Sequence, residues 1–273
     1  MGMIVRGTLY SDVLEMDTGI AIVTPKELPT HTPYKVAYVL HGLSGNHESW
    51  INNTMVSLYA EKTPMIYVFP EVQRSFYTNM QTGLNYFDYI CYELPQYIQK
   101  IYQVSDKKED HLIVGASMGG FGALKCGLKR PDYFGNILSF SAALLQDYDQ
   151  PLANQPKEDW SGTSMRRLLK NKFSQKVEQD LVAAFGHQEE LPKEDNLLWL
   201  AQSVAPSEAP NIYLACGLKD PLLSANRHFY QQLNSLGLPV TYEEKEGYHE
   251  WSYFNQALDD GLRWYRRQNK KKK

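Results

Sequence analysis

Long apolar runs are missing. No stretch of about 18 consecutive apolar residues occurs in the 273-residue chain, so no membrane-spanning helix is expected. Cysteine is scarce: Cys91, Cys126 and Cys216 have no metal-ligand spacing, and pairing any two would strand the third, which fits a reducing compartment. The N-terminal MGMIVRGTLYSDVLEMD lacks the basic stretch and apolar segment of a secretory leader, and a cytoplasmic location is the expectation. An excess of positive charge is lacking too. Twenty-eight Lys and Arg stand against 31 Asp and Glu, a net charge of −3, which leaves no global field to draw nucleic acid. The one basic run, Arg266, Arg267 and Lys270 to Lys273, carries no interleaved aromatics and reads as a solvated tail. No GxGxxG or GxxxxGKS follows an apolar run, so no nucleotide cofactor is indicated. His41 and His47 lie close together without a Cys or an obvious third ligand, a weak zinc signal, and no metal is expected.

What remains is the composition of a folded domain, 43% hydrophobic and 22% charged. The length suits one large domain, and residues 1–273 are read as a single unit. Short apolar runs alternate with segments of helical period, the signature of a mostly parallel, doubly wound sheet in an α/β fold. Expected strands are Met3 to Ser11 and Thr18 to Thr24 as an antiparallel opening pair, then Lys35 to Leu40, Met65 to Phe69, His111 to Val114, Asn136 to Phe140, Ile212 to Ala215 and Val240 to Glu244. Expected helices are Glu48 to Glu61, Tyr86 to Tyr102, Gly119 to Lys129, Ser224 to Leu236 and Tyr253 to Arg267. Between 143 and 210 the rhythm breaks into a polar stretch with helical pieces at Ser164 to Phe173 and Gln175 to Phe185, read as an inserted helical cap.

Chemistry enters at HLIVGASMGGFGALKCGL, where Gly115, Ser117 and Gly119 form GxSxG between a strand and a helix. Chance alone would produce that pattern on the order of 0.1 times in such a chain, so its context decides. A serine at the apex of a strained strand-to-helix turn needs small residues two positions either side, and there its hydroxyl stands beside free helix N–H groups. A serine hydroxyl also needs a base within reach, itself oriented by a carboxylate, and the chain order in this architecture is Ser, acid, His. Of the downstream histidines, His187 falls in the cap segment and His228 in mid-helix, whereas His249 follows the last expected strand. Asp220 follows the penultimate strand and is the natural acid, with Asp195 and Asp147 as alternatives. The loop His41 to Gly45 follows another strand, and the amides of Leu43 and Met118 are the expected oxyanion donors.

HGLSGNHESW, RSFYTN, GASMGGFGAL, CGLKD and EGYHEWSYFNQAL, in that order, resemble the esterase D family, which includes S-formylglutathione hydrolases and bacterial tributyrin-type short-chain esterases. The resemblance implies an α/β-hydrolase fold, Ser117, Asp220 and His249 as catalytic residues, and no cofactor. It also places Phe76 and Tyr77 along the substrate pocket, and Trp50 and Trp251 are further candidate walls. Where formylglutathione hydrolases carry Thr and Cys after HGL, this chain has Ser44 and Gly45, which favours simple esters over glutathione thioesters. The expected function is therefore a carboxylesterase for small-molecule, short-chain acyl esters. A thioesterase, a feruloyl esterase and a sugar deacetylase would use the same three residues, and a non-catalytic binding scaffold is the alternative from another class. Homo-oligomer formation stays open, since relatives of this kind often form dimers or larger assemblies.

Overall fold

The computed structural model describes residues 2–27, 33–145, 174–187 and 191–271. Eight strands form one sheet: β1 (Met3–Ser11), β2 (Met16–Thr24), β3 (Val36–Leu40), β4 (Ile66–Pro70), β5 (His111–Ala116), β6 (Asn136–Phe140), β7 (Asn211–Gly217) and β8 (Val240–Lys245). Their order across the sheet is β1-β2-β4-β3-β5-β6-β7-β8. β2 runs antiparallel to both its neighbours, and every pairing from β4 through β8 is parallel. This is the α/β-hydrolase fold.

The central strands are apolar on both faces because both faces are covered. Val36, Tyr38 and Leu40 of β3, with Ile113 of β5 and Ile212 and Leu214 of β7, belong to one core. The alternate residues Ala37, Val39, Leu112, Val114, Tyr213 and Ala215 belong to a second core on the opposite face. Helices α1 (Ser49–Asn53), α2 (Val56–Lys62) and α9 (Trp251–Lys271) supply Trp50, Tyr59, Phe254, Leu258 and Tyr265 to the second core. The first is covered by α3 (Tyr86–Asp88), α4 (Leu94–Ile101), α5 (Met118–Lys129), α6 (Ser174–Phe185), α7 (Leu197–Ser203) and α8 (Leu223–Ser235).

Two expected helices are interrupted. Glu48 to Glu61 is split into α1 and α2 because Thr54 is extended (φ −135°, ψ 171°), and the freed Met55 amide donates to Asn255 Oδ1 of α9 at 2.8 Å. Tyr86 to Tyr102 passes through a π-helical turn, Tyr89–Glu93, before α4. Pro95 has no N–H for the Cys91 carbonyl one turn back, and Arg130 Nη1 donates to that carbonyl instead at 2.7 Å. Within 143–210 the helix expected over Gln175 to Phe185 is α6, that at Ser164 to Phe173 lies outside the described residues, and α7 was not expected from the sequence.

Because the strands from β4 to β8 are parallel, the segments leaving β3, β4, β5, β7 and β8 all emerge at one edge. Those segments carry His41 to Gly45, Glu71 to Thr78, Ser117, Asp220 and His249.

Candidate active site

Ser117 sits between β5 and α5 with φ 58° and ψ −121°. A side chain in that region costs on the order of 1–3 kcal/mol and persists only where its surroundings impose it. The surroundings are tight. A Cβ on Gly115 would stand 2.0 Å from the Gly119 carbonyl oxygen, and one on Gly119 would stand 2.3 Å from the Leu40 carbonyl oxygen. Neighbouring backbone then grips the turn: the Ser117 amide donates to Phe140 O at 3.0 Å, and the Ser117 carbonyl accepts from the amides of Phe121 and Ala143, each at 3.0 Å.

His249 Nε2 lies 3.0 Å from Ser117 Oγ, and its Nδ1 lies 2.8 Å from Asp220 Oδ2. A carboxylate can only accept, so Nδ1 carries the proton, and Nε2 is left to accept from the serine hydroxyl. The Asp220 side chain is fully buried while the imidazole is 30% exposed. Asp220 is fixed from its other side by the Leu222 amide, which donates to Oδ1 at 2.8 Å. The His249 ring meets the edge of Phe254 at 5.2 Å, which limits its rotation. Beside Asp220, burial and then the carboxylate's charge push the Cys216 thiol up to about 12.

The other sequence candidates lie elsewhere. His187 and His228 are exposed. Asp195 is buried in an ion pair with Lys125 of α5 and accepts from Thr78 Oγ1 at 2.8 Å. Asp147 lies outside the described residues.

The loop after β3 passes directly over the serine: a Cβ on Gly42 would lie 3.6 Å from Ser117 Cβ. It forms a tight turn in which the Gly45 amide donates to Gly42 O at 2.9 Å. Met118 opens α5, so its amide is among the first-turn N–H groups without an intrahelical acceptor. Gly42, which precedes Leu43, and Met118 thus lie beside the serine on two separate segments.

His41 and His47 both face Glu71. His47 Nδ1 and its amide each lie 3.2 Å from Glu71 Oε2, and His41 Nε2 lies 3.4 Å from Oε1. Burial alone would raise the Glu71 carboxyl, but the His41 hydrogen bond and charge, the Gln73 amide and His47 outweigh it and hold it at about 2. Among the described residues no group of three or more His, Cys, Asp or Glu side chains is arranged to hold a metal ion.

Three of the four aromatics expected to wall a pocket are core residues. Trp50 is 1% exposed, with its indole N–H on Leu40 O at 2.9 Å. Phe76 is 1% exposed, packed on Phe121 and Phe185. Tyr77 has no exposed surface, and its hydroxyl donates to His41 O at 2.8 Å. A motif's large rings fill space before they face solvent, and sequence does not distinguish the two uses. Trp251 is half-buried at the start of α9 and meets Trp50 edge-on at 5.2 Å.

Asn226, which no motif marked, is 2% exposed. Its Oδ1 accepts from the Ala142 amide and its Nδ2 donates to the Ala142 carbonyl, both at 3.0 Å. That pairing fastens the segment after β6, whose next residue, Ala143, donates to the Ser117 carbonyl. Only its spacing on α8, six residues past Asp220, could have drawn attention to it.

A serine, an imidazole and a buried carboxylate in hydrogen-bonded series at the strand ends of such a sheet are the working parts of a serine hydrolase of the α/β-hydrolase fold. The family model Esterase matches residues 11–265, and the chain belongs to that family. It is 27% identical over 270 residues to an acetyl esterase of Caldicellulosiruptor saccharolyticus, covering 96% of this chain and 97% of that one. Among solved structures it is similar to fluorophosphonate-binding serine hydrolase F of Staphylococcus aureus, with a TM-score of 0.80 and 25% identity over 97% of this chain and 98% of that one. It also shares its fold with an S-formylglutathione hydrolase of Staphylococcus aureus, with a TM-score of 0.76 and 24% identity over 97% and 99% of the two chains. The chain is a serine carboxylesterase. No helix among the described residues is long and apolar enough to cross a membrane.

Proposed function

We propose that this carboxylesterase hydrolyses short-chain acyl esters through an acyl-enzyme on Ser117. The observation that carries the reading is the pair of contacts on one imidazole, 3.0 Å to the serine oxygen and 2.8 Å to the buried carboxylate. Ser117 Oγ attacks the acyl carbon as its proton passes to His249 Nε2. The carbonyl π pair moves onto oxygen, where the Leu43 and Met118 amides receive it, each contributing on the order of 3 kcal/mol to the transition state. Collapse breaks the bond to the alkoxy group, which leaves with the proton from His249. Water then repeats the sequence on the acyl-enzyme, giving up a proton to His249, and the acid departs as Ser117 regains its hydrogen. Asp220 keeps the imidazole in the tautomer the first step needs and stabilises the imidazolium that forms.

The likeness to an acetyl esterase supports small acyl groups. Trp50, Phe76 and Tyr77 fill space in the two cores, which leaves Trp251, alone of the four aromatics, with exposed surface for selecting by size. Hydrolysis of p-nitrophenyl esters from acetate to decanoate tests the preference. Rates that fall beyond butyrate are expected, and a flat or rising series contradicts the short-chain reading. Three free, buried thiols suit the reducing cytoplasm, which we propose as the location. Homo-oligomer formation is tested by sedimentation.

A further inference from the structure

The segment after β4 holds the oxyanion loop at successive points. The Val72 amide stands 3.2 Å from His41 Nε2. Tyr77 Oη donates to the His41 carbonyl at 2.8 Å. Arg74 Nη1 donates to the Leu43 carbonyl at 3.2 Å. The Leu43 amide therefore lies between two carbonyls, at 41 and 43, that are gripped by the same segment. The grip is held in an unusual backbone: Gln73, Phe76 and Tyr77 have φ of 52°, 51° and 56°, and none is a glycine. Side chains adopt such conformations where contacts compel them, and clusters of them gather at functional sites.

Arg74 is itself held. Its Nε and Nη2 both lie 2.6 Å from Asp180 Oδ2 on α6, whose carboxylate is 9% exposed. The same helix is fastened to the rest of the segment, since Phe185 packs on Phe76 at 5.7 Å and the Ala183 and Ala184 carbonyls accept from the amides of Thr82 at 2.9 Å and Gln81 at 3.0 Å. A guanidinium can donate along several directions at once and so can span a carboxylate on one element and a carbonyl on another.

We propose that Arg74 is a positioning residue for the oxyanion hole: anchored by Asp180, it fixes the Leu43 carbonyl and with it the direction in which the Leu43 amide meets the developing negative charge. This rests on the acyl-enzyme reading of Ser117. It extends that reading by making α6, remote from the reacting atoms, part of the geometry that sets the rate.

The test compares p-nitrophenyl acetate with its thionoester, in which sulfur replaces the carbonyl oxygen. Sulfur is a weak acceptor on a longer bond, so the thionoester gains little from the amide donors. In Arg74→Ala, kcat for the oxygen ester should fall about 10–100-fold with KM within about twofold. The thionoester rate should fall far less, so that the oxygen-to-sulfur rate ratio collapses. Asp180→Asn should move the ratio the same way by a smaller factor. Arg74→Lys should not restore it, because one ammonium cannot span Asp180 and the Leu43 carbonyl. If the ratio in Arg74→Ala and Asp180→Asn equals that of the wild type, the proposal is overturned, even where both rates drop together. Should Arg74→Ala fail to unfold cooperatively, the ratio in Asp180→Asn decides alone. Ser117→Ala is the control: an active Ser117→Ala removes the acyl-enzyme reading, whereas an inactive one beside unchanged ratios removes only the role of Arg74.

Discussion

At the scale of single residues, the arrangement divides labour between groups that react and groups that hold them. Asp220 reaches no reacting atom. It accepts from His249 Nδ1 and from the Leu222 amide, so replacing it with Asn should leave the fold intact while offering the imidazole a donor where it needs an acceptor. The kcat of Asp220→Asn is expected to fall by about 10³–10⁴ with an unchanged melting temperature. A variant within tenfold of the wild type would show that the tautomer is not set there. Glu71 provides a pH test. Its folded carboxyl, held at about 2 against an ordinary 4.5, favours the ionised form, so its contribution to stability is complete above about pH 4.5 and is lost as the pH falls toward 2. Urea unfolding of Glu71→Gln should show a deficit relative to the wild type that is constant above pH 4.5 and narrows below it. A deficit that widens on acidification contradicts the assignment.

At the scale of elements, the strands were legible because burial on both faces leaves continuous apolar runs, and Asn136 to Phe140 and Met3 to Ser11 coincide with β6 and β1. Boundaries set by remote partners were not. The break at Thr54 depends on Asn255, two hundred positions away, and the π-helical turn depends on Arg130 satisfying a carbonyl that Pro95 cannot. The same distinction runs through the site. Ser117, Asp220 and His249 could be singled out because each follows a recognisable strand end, whereas Asn226 lies in no motif, and the hold of Arg74 and Tyr77 on the carbonyls of Leu43 and His41 is not visible in the RSFYTN motif that contains them. The turn around Ser117 illustrates how little freedom the elements have. Gly119→Ala would drive a methyl into the Leu40 carbonyl, which cannot retreat without disturbing β3. It should cost about 1–3 kcal/mol or more in chemical denaturation and lower kcat besides. A variant of wild-type stability and rate would mean that the crossing of β3 and α5 is looser than described.

At the scale of the whole molecule, parallel strand direction does the assembling. Five segments spread from residue 41 to residue 249 leave the sheet at the same edge, and a two-faced core fixes the strand ends from which they start. The opening hairpin β1 and β2 extends the sheet at the far side from β8, and α6 meets the site through the segment after β4. The central claim, that Ser117 is the nucleophile, is most directly tested by treating the folded protein with a fluorophosphonate and mapping the adduct by peptide mass spectrometry. One adduct per chain on the peptide containing Ser117, absent from Ser117→Ala together with several orders of magnitude of esterase rate, is the expected result. An adduct confined to another residue, or a Ser117→Ala enzyme that keeps most of its rate, would contradict it.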